Sequence, residues 1–155
     1  MSEHQLGKYK EKRDFANTPE PPPEAREGEG RTFVIQKHQA RALHWDLRLE
    51  RDGVLKSWAV PKEPTMERGV RRLAVAVEDH PVDYASFAGE IPEGGYGAGT
   101  VEIWDKGTYS AEYWDEDKIV FTLNGERLIG RFALVHTGGK NWLLMKSKEL
   151  DEVQA

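Results

Sequence analysis

Three residues in one short stretch of the chain have the side chains of a metal centre. His38, His44 and Asp46 offer two imidazole nitrogens and a carboxylate oxygen. A His/His/Asp set leaves coordination positions free for water and phosphate, which metal-assisted hydrolysis requires. The chain contains no cysteine, so any bound metal would have to use nitrogen and oxygen ligands. This donor chemistry favours manganese, magnesium or zinc.

Segment 44–50 alternates strictly between polar and apolar side chains, and on a β-strand these would point to opposite faces. The apolar side chains should enter a core; they are Trp45, Leu47 and Leu49. The polar side chains should line one solvated face; they are His44, Asp46, Arg48 and Glu50. An ordinary surface strand shows the same alternation. The guanidinium of Arg48, however, adds a fork that matches phosphate beside two metal ligands.

Further candidate residues lie near the ends of other predicted strands. His80 ends the apolar run LAVAVEDHP, shares a side with Glu78, and precedes a proline that stops the strand. A histidine in this position more often faces a cleft than a core. Lys62, Arg71 and Arg72 could complete an anion clamp around a bound phosphate, although each could equally be a solvated charge.

The elements that must position these residues are short β-rich runs with turns about every ten residues. This pattern predicts an all-β, mainly antiparallel barrel or sandwich with few short helices. Asp52-Gly53 and Asn124-Gly125 each predict a hairpin, because both residue pairs readily adopt the positive φ of a type I′ turn. One short helical turn is expected around residues 84–87.

The start of the chain differs from the rest in amino-acid composition. Residues 16–31 contain four prolines and no aliphatic cluster. We therefore expect an extended and partly disordered N-terminal arm over residues 1–31, followed by a single β-domain over residues 32–150.

The loop IPEGGYGAGT is rich in glycine, but no helix pattern follows it. It therefore predicts tight turns between strands rather than a nucleotide-binding cradle.

Composition limits the classes of function. No apolar run is long enough for a membrane helix, and the N-terminus lacks a secretory signal, so we expect a cytoplasmic protein with no membrane partner. The net charge of −5 argues against binding nucleic acid through a generally basic surface. Charge is unevenly distributed, however. Residues 1–75 hold 15 Lys and Arg against 12 Asp and Glu, whereas the remaining residues hold 7 against 15.

Four stretches together resemble the 3′-phosphoesterase domain of bacterial DNA ligase D, which also occurs as a stand-alone protein. They are KRDFANTPEP, FVIQKHQARALHWDLRLERDGVLKSWAVPKEP, LAVAVEDHPVDYASFAGEIPEGGYGAGTVEIWDKG and NWLLMKS. The resemblance implies a single-domain β-barrel with a groove on one side. It also implies two sequential activities: a phosphodiesterase step removes a 3′-terminal ribonucleoside, and a phosphomonoesterase step removes the remaining 3′-phosphate to leave a 3′-OH.

The resemblance also implies roles for particular residues. The manganese ligands of the family fall on His38, His44 and Asp46, with Zn²⁺ or Co²⁺ as alternative metals. Residues at positions that contact the scissile phosphate are Arg48 and His80, with Lys62 and Arg72 as further candidates. Polar positions of the family's site fall on Tyr84 and Gln36. Substrate-binding positions on the arm fall on Arg13, Asp14 and Glu20.

The partners implied are nucleic acid 3′ ends, such as a primer-template with a 3′ ribonucleotide or 3′-phosphate. Coupling to end joining would occur through separate partners such as a DNA ligase, a polymerase or Ku. Two other classes of function remain open from the residues. A cupin-like metalloenzyme would use the same ligands on a small substrate, and a non-catalytic barrel would bind nucleic acid without hydrolysing it.

Overall fold

The structure is a computed structural model, and it describes residues 6–21 and 30–147. Its elements in chain order are α1 (Gly7–Glu11), β1 (Thr32–Gln39), β2 (Leu43–Arg51), β3 (Val54–Val60), β4 (Arg71–Pro81), a 3₁₀ helix (Val82–Ser86), β5 (Gly89–Ile91), β6 (Gly99–Trp114), β7 (Lys118–Asn124), β8 (Ile129–Gly138) and β9 (Asn141–Lys146). The 3₁₀ helix overlaps the helical turn predicted over residues 84–87. None of the helices in these two described ranges has the length and apolar character needed to cross a membrane.

The strands form one closed antiparallel barrel. The hydrogen-bonded order is β1-β2-β3-β4-β9-β8-β7-β6, and β6 pairs back onto β1 to close the sheet. The short β5 pairs with the first residues of β6, where β7 does not reach. The prediction of an all-β, mainly antiparallel barrel is therefore confirmed.

The main core fills the inside of this barrel. Trp45, Leu47 and Leu49 of β2 all belong to it, as the alternation of segment 44–50 predicts. They pack with residues of β1 and β7 such as Phe33 and Phe121, both of which are fully buried. Burying each such side chain stabilises the fold by roughly 2 kcal/mol. Because side chains alternate along a strand, burial of these residues makes their neighbours on β1 and β2 point outward.

Three of the four polar side chains of segment 44–50 are buried rather than solvated, contrary to the prediction, and only His44 is half-buried. Asp46 is 5% exposed, Arg48 3% and Glu50 1%. A second apolar cluster covers this face because α1, the 3₁₀ helix and β5 pack over the outside of the barrel. Its buried members are Tyr9, Leu55, Tyr84, Phe87, Ile91 and Val101.

The two predicted hairpins both form, but only one has the predicted turn. Asp52 (φ 57°) and Gly53 (φ 82°) make the two-residue connection between β2 and β3, which matches a type I′ turn. The second hairpin joins β7 to β8 through a longer loop, and Gly125 does not have the positive φ that a type I′ turn needs. The carboxylate of Asp105 instead accepts hydrogen bonds from the backbone N–H groups of Glu126 (2.8 Å) and Leu128 (2.9 Å).

The described part of the N-terminal arm packs closely against the barrel. Leu6 and Tyr9 are buried, and the Tyr9 hydroxyl donates a hydrogen bond to the carbonyl oxygen of Pro21 at 2.5 Å. Residues 1–5, 22–29 and 148–150 of the predicted arm and domain lie outside the described residues. The boundaries 1–31 and 32–150 therefore stay a prediction.

Candidate active site

The pairing of β1 with β2 brings the three predicted metal ligands together. His38 lies directly opposite His44 across the two strands, and Asp46 follows on the same face of β2. One ligand atom from each residue lies within 4.8 Å of the other two. The spacing of two residues between His44 and Asp46 is the strand period, so both side chains point outward.

Backbone carbonyl groups set the protonation of both histidine rings. His38 Nε2 lies 2.6 Å from the carbonyl oxygen of Gly97, and His44 Nδ1 lies 3.2 Å from that of Ala42. Because a carbonyl oxygen only accepts hydrogen bonds, these two nitrogens carry the ring protons. The other ring nitrogens face Asp46 Oδ2 at 3.6 Å for His38 and 3.2 Å for His44. Two ring nitrogens and a carboxylate oxygen thus converge, and this set of donor atoms fits a divalent cation once the nitrogens give up their protons.

The neighbours of Asp46 keep its carboxylate ionised. Burial raises the pKa of Asp46, but the Arg48 guanidinium and the two histidines outweigh burial and hold the pKa well below its usual range. Arg48 Nη2 lies 3.4 Å from Asp46 Oδ2. Burial lowers the pKa of His44, yet Asp46 outweighs burial and raises it overall. Asp46 is therefore an ionised carboxylate at the centre of the cluster.

Arg48 is held in place from two sides and still has one free nitrogen. Its Nε donates to Gln36 Oε1 at 2.6 Å, and its guanidinium lies 4.8 Å from the centre of the Tyr84 ring. Gln36 is itself fixed, since its Nε2 donates to the carbonyl oxygens of Tyr84 (2.7 Å) and Phe87 (3.0 Å). Arg48 Nη1 is buried and has no hydrogen-bond partner among the described residues. An entering anion could satisfy it.

Residues of the arm reach the same site through a network of ion pairs. Arg13 Nε donates to Glu20 Oε2 at 2.9 Å, and the Tyr84 hydroxyl donates to the same oxygen at 2.8 Å. Arg13 also lies 3.3 Å from Glu78 through Nη1 and 3.4 Å from His80 Nε2 through Nη2. The arm, β4 and the 3₁₀ helix are thereby joined around one guanidinium.

His80 is a buried neutral ring. Its Nδ1 lies 3.0 Å from the carbonyl oxygen of Glu78 and so carries the proton, which leaves Nε2 as an acceptor. Burial, together with the charges of Arg48 and Arg13, lowers the pKa of His80 well below its usual value. Burial raises the pKa of Glu78, but its hydrogen bond with Lys12 and the charge of Arg13 outweigh burial and lower it.

One open pocket contains most of the predicted site residues. Those that line it are Arg13, His38, His44, Asp46, Arg48, His80 and Tyr84. Gln36 lies beneath the pocket, where it positions Arg48. Glu20 and Asp14 line a neighbouring cleft, and Asp14 is exposed.

Two predicted residues lie apart from this pocket in the part of the chain that the structure describes. Lys62 is exposed in the loop after β3. Arg72 occupies a strand position on the same side as the core residue Ala74, and its Nε donates to the carbonyl oxygen of Glu63 at 2.8 Å. The phosphate-binding roles of Lys62 and Arg72 stay predictions.

The glycine-rich loop contributes to the site in a way that sequence analysis missed. Gly97 supplies the carbonyl group that orients His38, and Tyr96 lines the pocket beside it. The sequence of this loop predicts only tight turns. The only available signal was an aromatic residue placed among glycines, which is unusual for a plain turn.

Comparisons with known proteins identify the family of this chain. Residues 36–136 match the family described as DNA Ligase D 3′-phosphoesterase domain. The chain is 50% identical over 149 residues to the multifunctional non-homologous end joining protein LigD of Mycobacterium bovis, covering 92% of this chain and 20% of that protein. It is 48% identical over 157 residues to the protein of the same name from Pseudomonas aeruginosa, covering 93% of this chain and 19% of that protein.

The chain thus spans about a fifth of the length of these relatives. The family match covers well over half of the chain, and it includes every residue of the metal cluster. This chain belongs to the DNA ligase D 3′-phosphoesterase domain family.

Proposed function

We propose that this protein is a manganese-dependent phosphoesterase that processes the 3′ ends of DNA and RNA. In the proposed reaction, a phosphodiesterase step removes a 3′-terminal ribonucleoside. A phosphomonoesterase step then removes the remaining 3′-phosphate and leaves a 3′-OH. Membership of a 3′-phosphoesterase family supports hydrolysis of phosphoesters at nucleic acid ends.

One observation carries this proposal above all: a free guanidinium nitrogen lies next to the converging donor atoms of His38, His44 and Asp46. Arg48 Nη1 has no partner within the described residues, and Arg48 Nη2 touches Asp46 of the metal cluster. A phosphate group carries negative oxygens that could reach both the guanidinium and a cation. With a cation bound, the pocket would offer the phosphate two kinds of positive charge, the metal ion and the Arg48 guanidinium.

His38, His44 and Asp46 would hold the metal ion. Their nitrogen and oxygen donors suit manganese, with zinc or cobalt as alternatives. When bound, the metal would supply a Lewis acid for a non-bridging phosphate oxygen.

The protein's own residues would act on charge and on protons. Arg48 neutralises the charge that grows on the phosphate, and it is oriented for this in advance by Gln36. His80 accepts a proton at Nε2, because its Nδ1 proton is committed to the Glu78 carbonyl group. Arg13 lies beside that nitrogen and adds a second positive charge near the phosphate.

The direct test is a gel assay on a 5′-labelled DNA primer-template that ends in one or two 3′ ribonucleotides. With manganese we expect shortening first to a 3′-phosphate end and then to a 3′-OH end, and with EDTA we expect no shortening. Folded protein that leaves the substrate intact in manganese would overturn the proposed substrate and reaction.

Variants connect this activity to the metal cluster. His44→Ala should abolish the activity and weaken manganese binding measured by titration calorimetry. His136→Ala is the matched control, because His136 is a partly exposed histidine that contacts the Gly139 carbonyl group away from the pocket. The same titration with Zn²⁺ and Co²⁺, followed by the gel assay, ranks the metals. Activity in zinc alone would replace manganese in the proposal.

We also propose that nucleic acid 3′ ends are the partners of this protein in DNA end joining. The relatives are named multifunctional non-homologous end joining proteins, which supports this setting. The joining and synthesis steps would involve a separate DNA ligase, polymerase or Ku. Ligation of a 3′-phosphate end by a DNA ligase only after treatment with this protein would test the order of the steps.

A further inference from the structure

A second cleft lies beside the metal pocket. It runs between residues 13–20 of the arm and residues 91–96 of the glycine-rich loop. Arg13 and Tyr96 line both the cleft and the metal pocket. A molecule whose phosphate occupied the metal pocket could therefore extend into the cleft past these two side chains.

The charge of the cleft selects against a continuing nucleic acid strand. Asp14, Glu20 and Glu93 all line it, and Arg13, the one cation among the described residues that line it, is paired with Glu20 at 2.9 Å. A strand would bring a further phosphate with every nucleotide, and these carboxylates would repel it. A neutral group rich in hydroxyls would instead find acceptors there. The nucleoside at a 3′ terminus is such a group, because no phosphate follows it.

Tyr96 offers an aromatic surface at the junction of the two spaces. Tyr96 is 48% exposed, and glycines flank it on both sides in the chain. Lys12 Nζ lies 4.7 Å from the ring centre and donates to the Tyr96 hydroxyl at 3.2 Å. The Arg13 guanidinium lies 5.4 Å from the ring centre. These two cations help to fix the ring, and the residue remains accessible to a ligand.

Resting on the proposed function, we propose that this cleft receives the 3′-terminal nucleoside that leaves in the phosphodiesterase step, and that its base stacks on Tyr96. Tyr96 lines the same pocket as the metal ligands, and the adjacent residue, Gly97, orients the metal ligand His38. The ribose hydroxyls would face the carboxylate of Asp14.

If the cleft holds the leaving nucleoside, a substitution of Tyr96 should affect the phosphodiesterase and phosphomonoesterase steps differently. The phosphodiesterase substrate has a nucleoside beyond the scissile phosphate, whereas the phosphomonoesterase substrate ends at the phosphate. Loss of the ring should therefore slow the first step only. Stacking of a base on an aromatic side chain justifies an expected loss of about 10-fold or more in kcat/KM.

The experiment measures kcat/KM for both steps on one oligonucleotide sequence, ending either in a ribonucleotide or in a 3′-phosphate. Tyr96→Ala should slow the first step and leave the second unchanged, while Tyr96→Phe should retain both because the ring remains. A third substrate has a terminal ribose without a base. On this substrate the wild-type protein should be as slow as Tyr96→Ala is on the full substrate. Because there is no base to stack, Tyr96→Ala should cleave this third substrate at the wild-type rate.

Tyr113→Ala is the matched control, since Tyr113 is 50% exposed and lines neither cleft. An equal loss in both steps would place the base of the retained strand on Tyr96 and overturn the inference. Wild-type rates for Tyr96→Ala on both substrates would also overturn it. If the wild-type protein cleaves neither substrate, the proposed function fails and this inference fails with it.

Discussion

His38 Nε2 donates a hydrogen bond of 2.6 Å to the carbonyl oxygen of Gly97, and this contact orients the ring so that Nδ1 faces Asp46 Oδ2 at 3.6 Å. The contact joins the glycine-rich loop to strand β1. Hydrogen bonds of this kind typically change metal affinity by one to two orders of magnitude when they are lost. The loop is therefore part of the metal site, although it contributes no ligand.

Gly97→Ala should weaken manganese binding by about 10-fold or more. Gly97 has φ +75°, and an added Cβ would lie 3.2 Å from His38 Cε1. Titration calorimetry measures the affinity. Gly94→Ala is the control, because Gly94 has φ +90° but no atom within 4 Å of the added Cβ. Equal losses in the two variants would mean that backbone strain, rather than contact with His38, sets the affinity.

Gln36→Met should lower the free energy of unfolding by about 1–3 kcal/mol and also reduce kcat. The substitution keeps the volume but leaves the carbonyl groups of Tyr84 and Phe87 and the Nε of Arg48 without their partners. Urea unfolding and the gel assay measure the two effects, and Gln39→Met at the exposed end of β1 is the control. A stable variant with reduced kcat would show a role in positioning Arg48 alone; full activity would remove Gln36 from the site.

Arg48→Lys should reduce kcat by about two to three orders of magnitude while the protein still binds manganese. Lysine keeps the positive charge but lacks the planar fork that matches phosphate. Arg127→Lys is a suitable control, since Arg127 also donates through Nε and lies over an aromatic ring, that of Trp104, outside the pocket. Near-normal activity of Arg48→Lys would show that charge alone suffices.

Acidification should destabilise the protein through His80, beginning near the ordinary histidine pKa of about 6.5. Burial and two arginines depress the pKa of His80 in the folded protein. Below pH 6.5 the unfolded chain therefore takes up a proton that the folded protein does not, and unfolding is favoured by up to about 1.4 kcal/mol per pH unit. The pKa of Glu78 is also lowered in the folded protein. Protonation of Glu78 therefore reduces the free energy of unfolding further, beginning at the lower pH where carboxylates titrate.

The comparison of wild-type protein with His80→Asn isolates the histidine. We expect the wild-type protein to lose about 1 kcal/mol more than the variant between pH 6.5 and 5.5 in urea unfolding. His136→Asn should follow the wild-type protein. Parallel pH curves for the wild-type protein and His80→Asn would show that His80 takes up its proton in the folded state.

Sequence patterns that repeat along one strand predicted the barrel and its inward side chains. The spacing of His44 and Asp46 placed both residues on one face, and the pairing of β1 with β2 added His38. These features depend on the two-residue period of a strand and on strands that follow one another in the chain. Both can therefore be recognised from the sequence.

Contacts between distant parts of the chain were not predictable in this way. Arg13 meets His80 across 67 residues, and the layer that buries Asp46 and Arg48 comes from three separate segments. The Asn124-Gly125 hairpin failed to adopt a type I′ turn for the same reason. Asp105, from a different strand, binds the loop and dictates its conformation.

Closure of the barrel places β1 between two partners rather than at an edge. His38 pairs with His44 of β2 on one side and with Val101 of β6 on the other. Sliding β1 by one residue would turn His38 inward, and it would break both ladders at once. The spacing of the metal ligands is therefore maintained for as long as the barrel stays folded. A cation arriving at this site would find its ligands already in place, and would not need to order the chain.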